Sequence, residues 1–190
     1  MPHTRITAGE WRGRVINTPR GMATRPTRAL IRQSLFDILG DRVAGMAVVD
    51  LYAGAGTVGF EALSRGAAAV TFVEEAAAAV AAISATAQVF GCERRCRVVR
   101  AGVPRWLRGA ADEVRGAGLC FIDAPYRDPE LDQVLALVGA APPALVVCEH
   151  HRRRRLNERI GALELVRQVR HGLTTLSFLQ PVLTETSASR

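Results

Sequence analysis

The sequence predicts an α/β fold: a doubly wound, mostly parallel, seven-stranded sheet ending in an antiparallel hairpin, preceded by a small N-terminal hairpin-plus-helix extension. Three observations predict it. Between residues 46 and 149 five short apolar runs alternate with helical segments, and strands joined by helical crossovers form parallel sheets covered on both faces. Residues 163–180, LELVRQVRHGLTTLSFLQ, alternate apolar and polar positions on either side of His171-Gly172, as paired strands around a turn do. A chain of 190 residues is long enough for one well-buried domain with an appendage and too short for two domains of ordinary size.

The elements follow in order. Residues 4–20 hold two extended segments around Gly9 to Gly13, with Ile6, Val15 and Ile16 apolar, and predict a small hairpin. In MATRPTRALIRQSLFDILG (22–40), Pro26 makes a turn and Thr27 is placed to cap a helix. Leu30, Ile31, Leu35, Ile38 and Leu39 then recur at helical spacing up to Gly40. MAVVDLY (46–52) is the first core strand, followed by a helix from Val58 to about Ser64. AVTFVE (69–74) leads into an alanine-rich helix through Phe90, and RCRVVR (95–100) into a short helix near Arg105 to Val114. GLCFID (118–123) and ALVVCE (144–149) are the fourth and fifth strands, with a helix from Pro129 to Val138 between them. A sheet of this kind with an antiparallel finish is the architecture of the Rossmann-like class I S-adenosylmethionine-dependent methyltransferases. The chain then divides into a basic extension (1–42), a methyltransferase domain (43–183) and a tail (184–190).

Composition narrows the partners. Hydrophobic residues make up 48% of the chain, and no run approaches the about eighteen apolar residues that a membrane span needs. The opening MPHTRITAGEWRGR lacks the apolar stretch of a signal peptide, so a cytoplasmic location is expected. The net charge of +7 is carried by 25 arginines and no lysine. Residues 1–32 hold Arg5, Arg12, Arg14, Arg20, Arg25, Arg28 and Arg32 against Glu10 alone, so nearly the whole net charge falls in one sixth of the chain. Guanidinium binds phosphate in a fork, and such an arm is the footprint expected of a nucleic-acid partner, the alternative being a solvated tail. With few apolar residues, the arm is also the segment that composition ties down least. Cys92, Cys96, Cys120 and Cys148 read as reduced thiols. The spacing of Cys92 and Cys96 suits half a zinc site, but nothing in the sequence completes four ligands, and no metal is expected.

The chemistry is carried by two strand ends. DLYAGAGTVG (50–59) closes the first core strand, and Gly54, Gly56 and Gly59 satisfy G-x-G-x-x-G, with Glu74 at the end of the second strand. That pattern alone also fits a dinucleotide. Asp50, ahead of the glycines, favours S-adenosylmethionine over NAD, because it would repel a pyrophosphate on the helix N-terminus and attract the cationic ammonium and sulfonium of the former. Glu74 is placed to accept both ribose hydroxyls, while Tyr52 and Ala53 lead into the loop. After the third strand, Ala101 and Gly102 stand where an acid or amide often reads adenine, leaving backbone groups and apolar contacts for that task.

Asp123-Ala124-Pro125-Tyr126 ends the fourth strand, beside the first, on the edge where open parallel sheets bind ligands. It resembles the D/N-P-P-Y/F/W motif of methyltransferases that modify an exocyclic amine of a nucleobase. The lone pair of such an amine is delocalised into the ring, which makes it a poor nucleophile. Asp123 and the carbonyl of Ala124 can accept its two hydrogens and turn the lone pair towards a methyl donor. Pro125 stiffens that array, and Tyr126 can stack on a base taken out of its helix. Alanine at 124, in place of the usual proline, keeps the carbonyl and loses rigidity. The competing structural reading is an aspartate that caps the helix near Pro129. Adenine, cytosine and guanine all carry such an amine, so the motif leaves the base open.

RITAGEWRGRVI (5–16), TRPTRALIRQSLFDIL (24–39), DLYAGAGTVGFEALSRGA (50–67), FVEE (72–75) and FIDAPY (121–126) together resemble the bacterial RsmD family, whose members are 16S ribosomal RNA guanine-N2 methyltransferases. The resemblance runs in order from residue 5 to about residue 180. It implies methyl transfer from S-adenosylmethionine to N2 of one guanine in the small ribosomal subunit, with S-adenosylhomocysteine as product and a monomer as the simplest state. Asp123 then orients and accepts hydrogen bonds together with Ala124, Pro125 and Tyr126, and it joins Asp50, Tyr52, Ala53, Gly54, Gly56, Glu74, Ala101 and Gly102 around the cofactor. Arg5, Arg12, Arg14 and Arg25 would hold RNA phosphates, with HHRRRR (150–155) a second possible contact. Gln33, Ala29 and Ala76 depart from the family pattern beside the helices. Three competing readings are a DNA adenine-N6 methyltransferase, a non-catalytic RNA-binding ribosome assembly factor and an NAD-linked oxidoreductase.

Overall fold

The computed structural model describes residues 4–19, 26–126 and 128–182, with the side chains of residues 26–28 outside that description. β1 (Thr4–Arg5) and β2 (Val15–Ile16) form the expected small hairpin, pairing antiparallel. α1 (Pro26–Leu39) starts at Pro26, one residue ahead of Thr27 and its expected capping position. Proline suits the first helical position because its φ is preset and its missing N–H has no helical partner to lose.

The strand and helix alternation follows in the expected order: β3 (Ala47–Leu51), α2 (Thr57–Ser64), β4 (Ala69–Glu74), α3 (Ala77–Phe90), β5 (Cys96–Arg100), α4 (Val103–Leu107), α5 (Ala111–Arg115), β6 (Leu119–Ile122), α6 (Leu131–Ala140) and β7 (Val146–His151). β8 (Arg159–Ile160), β9 (Leu163–His171) and β10 (Thr174–Pro181) complete it. The sheet order is β5-β4-β3-β6-β7-β10-β9-β8, with β3 to β7 parallel and the last three strands antiparallel. Eight strands stand where seven were expected, because β8 pairs through only two residues, too few to show a period. The single helix expected near 105–114 is two short ones, interrupted at Arg108 to Ala110 around Gly109.

Apolar residues cover both faces of the sheet. Val48 and Phe121 pack on one side with Phe36, Phe60 and Phe72. Val49, Cys120 and Ile122 pack on the other with Val134, Leu135 and Val138 of α6. Burial on both faces is why the central strands read as continuous apolar runs. Each fully buried phenylalanine contributes about 1.5–3 kcal/mol relative to exposure. Among the described residues no helix is long and apolar enough to cross a membrane.

The N-terminal hairpin belongs to this core. Ile6, Trp11 and Ile16 are buried with Leu35 and Phe36 of α1 and Phe60 of α2. The Trp11 ring lies 4.8 Å from that of Phe90, with the Arg95 guanidinium 5.1 Å from its centre. The anchor is Glu61, fully buried on α2. Its carboxylate accepts from the Thr7 N–H (2.9 Å), the Ala8 N–H (3.1 Å) and the Thr7 hydroxyl, and pairs with Arg65 Nε (3.1 Å) and Arg32 Nε (3.3 Å). Ser64 adds its carbonyl to the Glu10 N–H and its hydroxyl to the Trp11 N–H. Gly9 makes this approach possible: its φ is +80°, and a Cβ there would lie 1.8 Å from the Ser64 carbonyl oxygen.

The docked hairpin lies at a definite end of the sheet. Gly66, just past α2, accepts from the Gly45 N–H at the foot of β3, and the Ala68 N–H bonds Met46. Ser64 and the hairpin tip therefore sit at the N-terminal ends of the parallel strands, about 17 Å of strand away from the opposite end.

Candidate active site

The glycine loop at the C-terminal end of β3 is fastened by two carboxylates. Asp50, buried within β3, accepts from the Gly59 N–H in the first turn of α2 at 3.0 Å. Gly59 lets the helix come that close, since a Cβ there would meet the Phe72 ring at 2.2 Å. Glu74, at the end of β4, accepts from the Gly54 N–H at 2.8 Å through one oxygen, and from the Glu75 and Ala76 N–H groups at 2.9 and 2.8 Å through the other. Ala53 N–H bonds the Val73 carbonyl and Ala101 N–H the Glu74 carbonyl, both at 3.1 Å. Gly102 caps α4, and a Cβ there would make ordinary contact with the Glu75 carboxylate at 3.9 Å.

Tyr52 stands at the mouth of this loop with φ +58°. A bulky residue in the left-handed region stores of order 1–3 kcal/mol and persists only where its surroundings hold it. Its hydroxyl is buried and makes no hydrogen bond of good geometry among the described residues, although the Asp128 carboxylate lies close enough to act on it. Burial, and then the nearby Asp128 carboxylate, push this phenol well above its usual pKa.

The second strand end lies directly alongside. β6 pairs with β3 from Val48↔Leu119 to Leu51↔Ile122, and the Asp123 N–H reaches the Leu51 carbonyl at 3.4 Å. The chain then turns sharply: the Asp128 N–H bonds the Pro125 carbonyl at 2.7 Å, and the Asp128 carboxylate accepts from the Glu130 N–H at 2.8 Å ahead of α6. Asp128 thus makes the carboxylate contact at the approach to α6, the task the competing reading gave to Asp123. Ala124 is buried among the residues packed on α6, and Tyr126 bonds the Thr174 hydroxyl while its ring edge meets His151 at 5.5 Å. Where a second proline is missing, the turn is held by burial, by the closed Pro125 carbonyl and by this tie to β10.

Charge at the loop is mostly negative, with Arg100 of β5 in register with Glu74 but forming no ion pair with it. Burial drives the Asp50 carboxyl well above its usual pKa; the Gly59 bond opposes this, and the Asp123 and Glu74 charges reinforce it. Three carboxylates thus feel one another around the glycine loop, and among the described residues no arginine pairs with Asp50 or Glu74. Such a site repels a pyrophosphate and fits a ligand that brings its own positive charge. Among the described residues no group of His, Cys, Asp and Glu could hold a metal ion; the Cys92 and Cys96 sulfurs, 3.7 Å apart, stand alone.

The expected residues fall into two sets. Asp50, Tyr52, Ala53, Gly54, Gly56, Glu74, Ala101, Gly102 and the run from Asp123 to Tyr126 come together at the C-terminal ends of β3 to β6. The arginine set lies elsewhere. Arg14 bonds the Val89 carbonyl at 2.6 Å and lies 4.3 Å over the Phe90 ring at the far end of α3, and Arg5 bonds Gly13 within the hairpin. Arg12 is exposed near the hairpin tip, and Arg25 lies outside the described residues. Sequence reasoning missed Thr174, and it named His151 only within the run HHRRRR as an RNA contact, not as a neighbour of the Tyr126 ring. A lone threonine in an alternating strand gives no signal, whereas the His150-His151 pair at a strand end could have pointed there.

Comparisons with known proteins give the family and the fold. The profile of the family described as Conserved hypothetical protein 95 matches residues 4–180. The "Putative rRNA methyltransferase YlbH" of Bacillus subtilis is 31% identical over 174 residues, covering 90% of this chain and 95% of that protein. Ribosomal RNA small subunit methyltransferase D of Escherichia coli is 32% identical over 135 residues, 70% of this chain and 66% of that one. The structure of "Putative methyltransferase yhhF" from Escherichia coli superposes with a TM-score of 0.80 at 26% identity, covering 95% and 98% of the two chains. The fold is that of the class I methyltransferases, and the chain belongs to the RsmD family.

Proposed function

We propose that this protein transfers a methyl group from S-adenosylmethionine to the N2 amine of a guanine in the 16S RNA of the small ribosomal subunit. The observation that carries the reading is the contact between the two strand ends, where the Asp123 N–H meets Leu51 at the edge of the carboxylate-lined glycine loop. The residues fit the cofactor: Glu74 for ribose, the Gly54 to Gly56 loop for close backbone approach, and acids without protein cations for a cationic ligand. S-adenosylmethionine supplies a methyl group on a cationic sulfur, with a neutral thioether as leaving group.

The chain's own residues then position. Asp123 and the Ala124 carbonyl would accept the two amine hydrogens and so leave the nitrogen lone pair free to take the methyl group that the bound cofactor would supply, the sulfur keeping the bond electrons as a neutral thioether. The proton leaves after the nitrogen has become cationic, so Asp123 orients and needs no strong basicity. Tyr126, held through Thr174 and His151, offers a ring face to the unstacked base. Orientation of this kind supplies about 7–11 kcal/mol of the barrier reduction.

The test is transfer of labelled methyl into small subunits from a strain lacking the enzyme, with duplex DNA alongside and mass mapping of the product. Label in 16S RNA at a guanine N2 is expected, and Asp123→Ala should reduce it at least about a hundredfold, the scale of a misplaced reacting group. Label only in duplex DNA, or undiminished transfer by Asp123→Ala, would sink the reading.

A further inference from the structure

Two arginine-rich segments could grip the RNA, and the fold puts them at opposite ends of the sheet. The hairpin tip is fastened to Ser64 at the N-terminal ends of the strands, with Arg5 and Arg14 already engaged by backbone carbonyls. The run Arg152 to Arg155 follows directly on β7, at the C-terminal ends. The register Ile122↔Cys148 sets the end of β6 against β7, and His151, three residues beyond Cys148, touches the Tyr126 ring edge.

That run is built as a fixed turn. The Arg154 N–H bonds the His151 carbonyl at 2.9 Å, and the Arg153 N–H bonds His151 Nδ1 at 3.2 Å. The Arg152 N–H bonds the Leu173 carbonyl in the β9–β10 turn at 2.8 Å. Arg154 alone is neutralised, by Asp132 of α6 at 2.6 Å. Arg152, Arg153 and Arg155 are exposed and form no ion pair among the described residues. One arginine thus serves as an anchor, while three exposed arginines follow directly on His151, whose ring meets that of Tyr126, itself 47% exposed. Planar, permanently charged forks on a pinned backbone suit phosphates on either side of a base that has left its stack.

We infer that the RNA strand crosses the end of β7, with the phosphates flanking the target nucleotide held by Arg152, Arg153 and Arg155 rather than by the hairpin arginines. The inference rests on the RNA-methyltransferase reading, and the experiment separates the two. Binding of a fluorescein-labelled single-stranded RNA of about 20 nucleotides is measured against salt for the full chain. Transfer to small subunits and adenosylhomocysteine affinity are measured in parallel. Three lost phosphate contacts should flatten the slope of log affinity against log salt by about 2, since each contact on single strands contributes roughly 0.7.

The triple variant Arg152→Ala/Arg153→Ala/Arg155→Ala should show that flattening and a KM for subunits raised at least about tenfold, with unchanged adenosylhomocysteine affinity and melting temperature. The corresponding triple lysine variant should keep the slope. Arg94→Ala, which removes an exposed arginine at the opposite end, is the control. An unchanged slope and KM in the triple alanine variant, or a larger loss from Arg12→Ala, overturns the inference while leaving the enzyme reading intact. A wild-type chain that binds adenosylhomocysteine but neither binds nor methylates RNA overturns both.

Discussion

The two ends of the sheet hold buried or half-buried carboxylates against backbone N–H groups, and they differ in what completes them. At the N-terminal ends of the strands, Glu61 is closed in by Arg32, Arg65 and the Thr7 to Ala8 backbone, so every oxygen has a partner from the protein itself. At the C-terminal ends, Glu74 and Asp50 hold the glycine loop through N–H groups alone, without an arginine among the described residues. The first arrangement is finished and structural. The second leaves Glu74 without an ion pair among the described residues, beside an Asp50 whose burial favours the neutral form. Two internal guanidinium groups thus mark Glu61 as a structural acid, a distinction from Asp50 that burial alone does not make.

The comparison can be broken at its closed end first. Glu61→Ala would strand a buried guanidinium, because Arg32 is 6% exposed, and should destabilise the fold by about 3–5 kcal/mol. Urea unfolding measures this, and a loss below about 1 kcal/mol would show that the hairpin is not anchored through Glu61. At the open end, Glu74→Ala frees three backbone N–H groups but strands no buried cation, so it should cost less stability than Glu61→Ala, about 1–3 kcal/mol, while weakening adenosylhomocysteine about 10- to 100-fold in calorimetry. Equal effects on folding and binding would erase the distinction.

Two smaller effects sharpen it. Thr174→Val should release the Tyr126 hydroxyl and lower kcat by about 2- to 10-fold, with Thr174→Ser restoring it and adenosylhomocysteine affinity unaffected. A kcat equal to wild type would remove Thr174 from the positioning set. Asp50→Asn tests the buried acid. Its folded pKa is raised above the usual 3.8, so the folded chain holds this proton more tightly than the unfolded chain. Stability therefore declines as pH rises from about 3.8 through the raised value. Asparagine has no such proton, so its melting temperature should gain on that of wild type as pH increases, and parallel curves would contradict the assignment.

Much of this was legible in the residues. Continuous apolar runs at 46–49, 119–122 and 146–148 marked the central strands because both faces are covered. The glycine spacing and the two strand-end acids, Asp50 and Asp123, gave the crevice because each needs only local geometry to be understood. The docking of the hairpin was not legible, since Glu61, Ser64 and Thr7 are more than 50 residues apart in pairing and periodicity carries no information at that range. One sign was present: an acid within FEALS, on a helix otherwise buried, demands partners, and an arginine-rich arm could supply them. The assignment of Arg5, Arg12 and Arg14 to RNA followed from charge alone, and charge does not say which end of a sheet a segment reaches.

The seat of Trp11 between Phe90 and Arg95 has an optical consequence. The chain has two tryptophans; the other, Trp106, lies in α4 just after the Ala101-Gly102 turn at the crevice end. Each indole therefore reports on one end of the molecule. Undocking of the hairpin would shift the emission of Trp11 towards the red, and occupation of the crevice would alter that of Trp106. Single-tryptophan variants can follow the two events separately, without any added label.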